Sequence, residues 1–209
     1  MEDQDQVLCS SCEAKASLYI GNMCPVCGSE IEAFPCEVCA TEKFAFSHAR
    51  SMFRFHSSIK DLIHILKYDS YTSPAGYFAL PLSEMIESDE DLHDYDFMCA
   101  VPLHPVRHRE RGYNQSDLIA YATATLLQMP YQNPVSRKVN TPSQTMLSKD
   151  SRAVNLKGAF MVKDIAAVKG KKIIVVDDVF TTGATINEMA KELKLAGAEK
   201  VAAVTVARA

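Results

Sequence analysis

The chain has 209 residues and a mass of 23.1 kDa, a length that favours one full domain and a small additional module. With 47% hydrophobic and 23% charged residues, the composition is typical of a globular protein, and no apolar run is long enough to span a membrane. The formal net charge of −4 excludes a protein that binds nucleic acid through a basic surface all around it, so any polyanion site must be local.

The first 39 residues predict a cytoplasmic, metal-binding segment. Acidic and amide side chains occupy the start of the chain, where a secretory signal would carry basic and then apolar residues. Six of the seven cysteines form three CxxC pairs, Cys9/Cys12, Cys24/Cys27 and Cys36/Cys39. In a cytoplasmic chain this spacing predicts metal binding rather than disulfides.

The second and third of these pairs have the spacing of a structural zinc site. A glycine follows the second pair, as in a zinc knuckle, and the third pair comes eight residues later, so four thiolates can surround one zinc ion. The first pair competes for the same role, and a redox-active CxxC is the less favoured alternative because no βαβ context surrounds it. Residues 1–45 lack the apolar residues for a core, so we predict a metal-dependent module there and an α/β domain over 46–209.

The next part of the chain predicts two strands and two helices. Residues 44–58 partly alternate aromatic and polar side chains, which indicates a strand. Residues 59–66 carry apolar side chains at helical spacing, and a second helix is predicted over 76–88. Phe97–Leu103 is a short apolar run that predicts a buried strand ending at a loop.

Two basic segments follow in this acidic chain. Residues 104–114 contain three arginines and two histidines and are predicted to form a loop before a helix over 115–128. Residues 133–158 have little periodicity, which predicts a long loop with short strands at most, and such loops are often functional. The basic residues of this second loop are Arg137, Lys138, Lys149, Arg152 and Lys157.

The C-terminal part of the chain predicts a βαβ unit. An apolar strand begins at Lys171, an amphipathic helix covers Ala184–Leu195 and stops at Gly197, and Val201–Val206 forms another strand. Strand, helix and strand at this spacing require a parallel pairing of the two strands. We therefore predict an α/β fold with a parallel, Rossmann-like sheet.

The segment VVDDVFTTGAT at 175–185 is the strongest functional signal in the sequence. Two carboxylates, Asp177 and Asp178, end the buried strand, and a turn of small and hydroxyl residues then opens a helix. Backbone amides at a helix N-terminus favour a phosphate, whereas the acids would repel it and suit sugar hydroxyls. The predicted phosphate ligands are Thr181, Thr182, Gly183, Ala184 and Thr185. A plain turn with a helix cap is the alternative.

The arrangement resembles the motif that binds 5-phosphoribosyl-1-pyrophosphate (PRPP) in type I phosphoribosyltransferases. The sequence RERGYNQ at 109–115, the segment 141–160 and the CxxC pairs are also similar to the ComF family, named for its role in bacterial DNA uptake. The resemblance covers nearly the whole chain. It implies the type I phosphoribosyltransferase fold with an N-terminal zinc module.

The resemblance also implies roles for individual residues. Asp177 and Asp178 would hold the ribose hydroxyls, residues 181–185 would hold the 5-phosphate, and Arg109 and Arg111 would face the pyrophosphate. The long basic loop would close over the substrate, and Mg²⁺ would bridge phosphate oxygens. Pyrophosphate would leave as the phosphoribosyl group passes to an acceptor that no residue identifies.

A second function, of another class, is the alternative to phosphoribosyl transfer. The protein would then sense PRPP without turnover, or accompany single-stranded DNA as an accessory protein of competence. DNA-handling proteins and a second copy of the chain in a homodimer are the implied partners.

Overall fold

A computed structural model describes residues 7–32, 36–139 and 156–209 of the chain. Its main sheet contains four parallel strands in the order β1-β6-β5-β2. These strands are β1 (His48–Arg54), β2 (Phe97–Ala100), β5 (Lys172–Phe180) and β6 (Lys200–Arg208). A second sheet pairs β3 (Val135–Arg137) with β4 (Phe160–Val162) in antiparallel register. The parallel sheet confirms the α/β fold predicted from the sequence.

Eight α-helices lie within the described residues, and five of them have at least seven residues. The short ones are α1 (Ser10–Glu13), α2 (Glu37–Thr41) and α7 (Ile165–Val168). The longer ones are α3 (Ser57–Tyr68), α4 (Pro74–Ser88), α5 (Pro105–Arg111), α6 (Gln115–Leu126) and α8 (Ala184–Leu195). None of the helices in this part of the chain combines the length and the apolar character that a membrane crossing requires.

The sheet is covered on both faces because its central strands are apolar on both sides. In β5, Ile174 and Val176 join the core formed with α3, α4 and α6. Ile173 and Val175 point to the opposite face and pack with α8 and the small β3–β4 sheet. Burial of successive residues on alternate faces is typical of a parallel strand between two layers of helices. The carboxyl ends of β5 and β2 therefore open at one edge, between the two layers.

The segment after β2 is a helix, where the sequence predicted a loop. Pro105 occupies the first position of α5, where its missing N–H costs nothing, and the His104 ring accepts a hydrogen bond from the Val106 amide at 3.3 Å. Gly112 ends the helix in the left-handed conformation with φ of 83°. Local caps at both ends thus convert a short basic segment into two turns of helix.

The long loop predicted over 133–158 is described only in part. Val135–Arg137 forms β3 there, in agreement with the prediction of short strands. Lys149 and Arg152 lie outside the described residues. At the other side of that gap, the backbone amide of Gly158 donates to Glu188 of α8 at 2.8 Å.

The cysteine-rich segment packs directly against the edge of the main sheet. The Ala49 amide of β1 donates to the Val26 carbonyl at 2.8 Å, and Arg208 at the end of β6 donates to the Cys27 carbonyl at 2.7 Å. Gly28 approaches β1 so closely that a Cβ atom would lie 2.4 Å from the Ala49 carbonyl oxygen. The domain boundary between residues 45 and 46 stays a prediction, with backbone contacts across it.

Candidate functional site

The candidate site lies where β5 ends beside β2. Val176 pairs with Ala100 in register, and the next two residues of β5 are Asp177 and Asp178. β5 continues to Phe180, so both acids belong to the strand itself. Their position at the carboxyl end of parallel strands is the usual place for a ligand in an open α/β sheet.

Four hydrogen bonds hold the two carboxylates in place. The Asp178 amide and the Ser116 hydroxyl both donate to Oδ1 of Asp177 at 2.9 Å. Lys67 Nζ donates to Oδ1 of Asp178 at 2.7 Å, and Gln115 Nε2 donates to its Oδ2 at 2.6 Å. The two carboxylates have four oxygens, and Oδ2 of Asp177 is the one that accepts none of these four hydrogen bonds.

Sequence reasoning missed the three side chains that donate to these acids. Gln115 is the last residue of the RERGYNQ motif and Ser116 follows it, so the motif itself was the available signal. Asn114 caps α6 by accepting from the Ser116 amide at 3.2 Å and donates to the Val101 carbonyl at 3.0 Å. This cap fixes the start of α6 against the end of β2. Lys67 lies in a predicted helix, and no local pattern distinguishes it.

The close packing of two carboxyl groups changes the protonation of Asp177. Burial, and then the charge of Asp178, raise the pKa of Asp177 to about 7, although Lys67 and the Ser116 hydroxyl act in the opposite direction. The Asp177 carboxyl therefore gains a proton as the pH falls through neutrality. Ionisation of both acids is favoured when a ligand supplies further hydrogen-bond donors or a cation.

Asp177→Asn is expected to stabilise the ligand-free protein at pH 8. A carboxyl whose pKa is raised on folding contributes stability that is complete below its unfolded pKa, near 4, and is lost as the pH rises to about 7. The full pKa shift of Asp177 corresponds to about 4 kcal/mol of unfolding free energy. Because the side chain is partly exposed, we expect the substitution to raise the unfolding free energy by about 1 to 2 kcal/mol. Asparagine keeps the Oδ1 acceptor. Urea denaturation at pH 8 and pH 5 measures the gain, which should shrink at pH 5.

Asp96→Asn is the control with the opposite sign. Hydrogen bonds from Lys171 and the Lys172 amide lower the pKa of Asp96, so its neutral replacement should destabilise the protein at pH 8. An Asp177→Asn variant that is less stable than the parent at pH 8 would contradict the conclusion that burial and the charge of Asp178 destabilise the ionised Asp177 carboxylate.

The turn after β5 leads into the N-terminus of a twelve-residue helix. Thr181 is exposed, and Thr182 accepts a hydrogen bond from the Ala184 amide at 3.4 Å. Gly183 is the N-cap of α8 and has φ of 76°, in the left-handed region. The predicted phosphate ligands thus occupy one turn and the first residues of α8, where the helix dipole favours an anion.

The two predicted arginines occupy different surroundings on α5. Arg111 donates to Oε1 of Gln115, whose amide nitrogen binds Asp178, and its guanidinium lies 5.4 Å from the centre of the Tyr68 ring. The structure thus connects Arg111 to the acid pair. Arg109 is exposed, and its side chain makes no hydrogen bond or ion pair with a described residue. Its role in the site stays a prediction.

Four cysteines of the N-terminal segment form a compact group. Their sulfur atoms lie within 4.8 Å of one another, and the members are Cys24, Cys27, Cys36 and Cys39. Two of the sulfur–sulfur distances are 3.5 and 3.7 Å, close to the roughly 3.8 Å expected for thiolates on a tetrahedral zinc ion with Zn–S bonds of about 2.3 Å. The Cys39 amide donates to the Cys36 sulfur at 3.3 Å. The group therefore fits a metal ion.

The structure separates the first cysteine pair from this group. Cys9 is exposed at the start of α1, and Cys12 packs at the edge of the core near α3. A hydrogen bond of 2.7 Å from the Ser58 hydroxyl to the Cys12 carbonyl holds the pair there. Metal binding by Cys9 and Cys12 stays a prediction. Cys99 is fully buried in β2.

Comparison with known proteins gives matches over the whole chain. The family model of the phosphoribosyl transferase domain matches residues 118–209, which include the acid pair and the turn. The DNA utilization protein YhgH of Escherichia coli (strain K12) is 32% identical over 200 residues, covering 93% of this chain and 87% of that protein. Competence protein ComFC of Streptococcus pneumoniae is 28% identical over 211 residues, with coverage of 100% and 90%. Competence protein F of Haemophilus influenzae is 29% identical over 212 residues, with coverage of 97% and 90%.

Proposed function

Because this chain belongs to the ComF family and carries a type I phosphoribosyltransferase domain, we propose that it binds PRPP at the end of β5 and transfers its phosphoribosyl group. One observation carries the proposal. The two acids that suit a ribose diol lie in one strand, directly before a turn at a helix N-terminus that suits the 5-phosphate. Only two residues separate the acid pair from the turn, so both lie close enough to bind the ribose and the phosphate of one ribose 5-phosphate.

The acid pair is proposed to bind the ribose hydroxyls. Asp177 offers Oδ2, because both of its described hydrogen bonds go to Oδ1. Asp178 is held from both sides by Lys67 and Gln115, so its carboxylate is oriented before the ligand arrives. Preorganisation of this kind reduces the ordering cost of binding. Lys67 and Gln115 are accordingly positioning residues of the ribose site.

The turn and the start of α8 are proposed to bind the 5-phosphate. Gly183 allows the backbone to take a left-handed conformation that a side chain would strain. The amides of residues 181–185 and the three threonine hydroxyls then supply the donors. The first turn of α8 contains no acidic residue that would repel the anion.

The pyrophosphate is proposed to lie toward α5. Arg111 borders the acids on that side, and we retain Arg109 as a second cation for the leaving group. In the reaction, the bond from the anomeric carbon to the pyrophosphate oxygen breaks and its electron pair leaves with pyrophosphate. A lone pair of the acceptor forms the new bond, and the acceptor's proton passes to solvent. Arginine donors stabilise the charge that develops on the leaving group.

Magnesium is the cofactor that this proposal requires beside PRPP. The site suits it, since Mg²⁺ prefers oxygen ligands and commonly uses one or two carboxylates together with substrate phosphates. When bound, the ion adds Lewis-acid stabilisation of the pyrophosphate. Bound Mg²⁺ would be held mainly by the phosphates of PRPP, with water in its other positions.

Zinc is proposed as a structural ion at the four-cysteine group. Four thiolates complete a tetrahedral shell and leave no open position for a substrate. Residues 1–45 would then be a metal-stabilised module, and 46–209 the domain that binds PRPP.

Cys36→Ser is expected to remove the zinc ion, whereas the same change at Cys9 leaves it bound. Loss of one thiolate from a closed tetrahedral set weakens metal binding strongly, and Cys9 lies outside the set. Elemental analysis of the parent should give at least one zinc per chain. A Cys9→Ser variant that loses zinc while Cys36→Ser retains it would contradict this assignment of ligands.

A titration of the protein with PRPP, in the presence and absence of Mg²⁺, tests the proposed function most directly. We expect calorimetry to show binding that strengthens with Mg²⁺, and a screen of nitrogen acceptors to show release of pyrophosphate. Absence of PRPP binding to folded, metal-loaded protein would reject the function.

A second candidate function follows from the names of the relatives, which refer to competence and to DNA utilization. In this alternative the domain senses PRPP without turnover, and its partners are single-stranded DNA or DNA-handling proteins of the competence machinery. PRPP binding without pyrophosphate release from any acceptor would favour it. A homodimer is compatible with either function, and sedimentation would reveal it.

A further inference from the structure

The four-cysteine group is connected to the turn at residues 181–185, which is proposed to bind the 5-phosphate and is called the phosphate turn below. The connection runs through Phe180, the last residue of β5. An ideal Cβ atom on Gly183 would lie 2.5 Å from Cζ of Phe180, so the ring packs directly against the turn. The Phe180 carbonyl also accepts a hydrogen bond from the Ala209 amide at 3.0 Å. Any displacement of the Phe180 ring therefore reaches the backbone on which the 5-phosphate is proposed to bind.

Arg208 joins Phe180 to the cysteine group. Its guanidinium carbon lies 4.5 Å from the centre of the Phe180 ring, a cation–π contact. The same guanidinium donates to the carbonyl of Cys27 at 2.7 Å. Cys27 is one of the four buried or half-buried thiols that fit a zinc ion. One side chain thus contacts the backbone of a metal ligand and the ring beneath the phosphate turn.

A second route leads to the same ring through aromatic side chains. Phe44 packs beside the cysteine group and stacks on Phe46 at 4.6 Å. Phe46 meets Phe180 edge to face at 6.1 Å. Just beyond Phe44, the Ala45 amide donates to Asn187, in the first turn of α8, at 2.7 Å. The residues that follow the cysteines are therefore fastened both to Phe180 and to the helix whose N-terminus faces the phosphate.

The backbone around Gly28 packs so closely against β1 that the contacts of this segment have little room to shift. Gly28 has φ of 70°, and a Cβ atom there would meet the Ala49 carbonyl oxygen at 2.4 Å. A bound metal fixes the thiolates, and with them the backbone from Cys24 to Gly28 that carries the carbonyl facing Arg208. Loss of the metal would free that backbone and the side chains that rest on it.

We propose that Arg208 and Phe180 couple the metal group to the phosphate turn, so that zinc and the phosphate end of PRPP bind with positive cooperativity. The inference rests on the proposed PRPP site and deepens it, because it makes Arg208 a positioning residue for that site. Linkage requires each ligand to raise the affinity of the other by the same factor.

The wild-type protein tests this coupling without any substitution. Zinc affinity is measured by competition with a chromophoric chelator, with and without saturating ribose 5-phosphate, a monophosphate that competes less for zinc than PRPP does. Couplings between sites commonly lie between about 5-fold and 150-fold, and we expect ribose 5-phosphate to tighten zinc binding about tenfold. Unchanged zinc affinity in protein that binds ribose 5-phosphate would overturn the coupling and leave the proposed function standing. Failure of the wild type to bind ribose 5-phosphate or PRPP would overturn both.

Arg208→Ala and Arg54→Ala form a matched pair of variants. Arg54 also contacts the N-terminal segment, through Glu30 and the Tyr19 ring at 5.2 Å, but it has no contact with Phe180 in the described structure. We expect Arg208→Ala to keep one zinc per chain, to bind ribose 5-phosphate about tenfold more weakly and to lose the effect of that ligand on zinc affinity. Arg54→Ala should retain the coupling, and Arg208→Lys should restore part of it. Equal coupling in Arg208→Ala and the parent would overturn the role of Arg208.

Discussion

The double substitution Asp177→Asn with Asp178→Asn is expected to reduce PRPP affinity by roughly 100-fold to 10,000-fold while the protein stays folded. Two charge-assisted hydrogen bonds to the ribose hydroxyls would be lost, at about 1.5 to 3 kcal/mol each. Folding should survive because an asparagine at 177 still accepts from the Ser116 hydroxyl and from the backbone amide of residue 178. An asparagine at 178 still accepts from Lys67 or from Gln115 through its one oxygen, and the repulsion between two carboxylates disappears. Calorimetric titration with PRPP and Mg²⁺ measures the loss.

Asp94→Asn with Asp96→Asn is the matched control for the acid pair. These carboxylates lie at the opposite end of the sheet, where they form ion pairs with Lys172 and Lys171. The control removes the same number of charges from the domain, so a general electrostatic effect on PRPP would appear in both double variants. Unchanged PRPP affinity in the folded Asp177/Asp178 variant would remove the ribose assignment.

Gly183→Val is expected to abolish binding of PRPP and of ribose 5-phosphate. The backbone of Gly183 is left-handed, and a Cβ atom would collide with the Phe180 ring at 2.5 Å from Cζ. The turn must therefore shift, which moves the amides that are proposed to hold the phosphate. Protection of the protein against heating by ribose 5-phosphate measures the effect, and we expect the protection to vanish.

Gly170→Val separates loss of binding from loss of stability. Gly170 has a similar φ of 73°, but a Cβ atom there meets nothing within 4 Å. Both variants bear the strain of a left-handed β-branched residue, of order 1 to 2 kcal/mol, while only Gly183→Val disturbs the turn. If ribose 5-phosphate protects Gly183→Val as well as it protects Gly170→Val, the phosphate binds elsewhere in the protein.

Much of the candidate site was predictable because it is continuous in sequence. The apolar run before Asp177, the small residues of the turn and the helical spacing of Ala184–Leu195 each follow from local chemistry, and the structure places that helix at the predicted residues. The parallel pairing of β5 with β6 was likewise fixed by the short helical connection between them. Prediction was poorer for residues 104–114, where Pro105 and Gly112 delimit a helix too short for a periodic pattern.

The sequence by itself determined the class of fold and predicted the acid pair and the turn that is proposed to bind the phosphate, since strand, turn and helix signals act between near neighbours in the chain. The spacing favoured a group of the second and third cysteine pairs, and the structure brings these two pairs together. Only the tertiary structure decided that the competing first pair lies apart from them, because spacing along the chain does not fix separation in space. It also decided that Lys67 and Gln115 hold Asp178, and that Arg208 contacts both Cys27 and Phe180. These contacts join residues 28 to 181 positions apart, and the physical reason is the parallel sheet. It brings the carboxyl ends of distant strands, and the side chains that follow them, to a single edge.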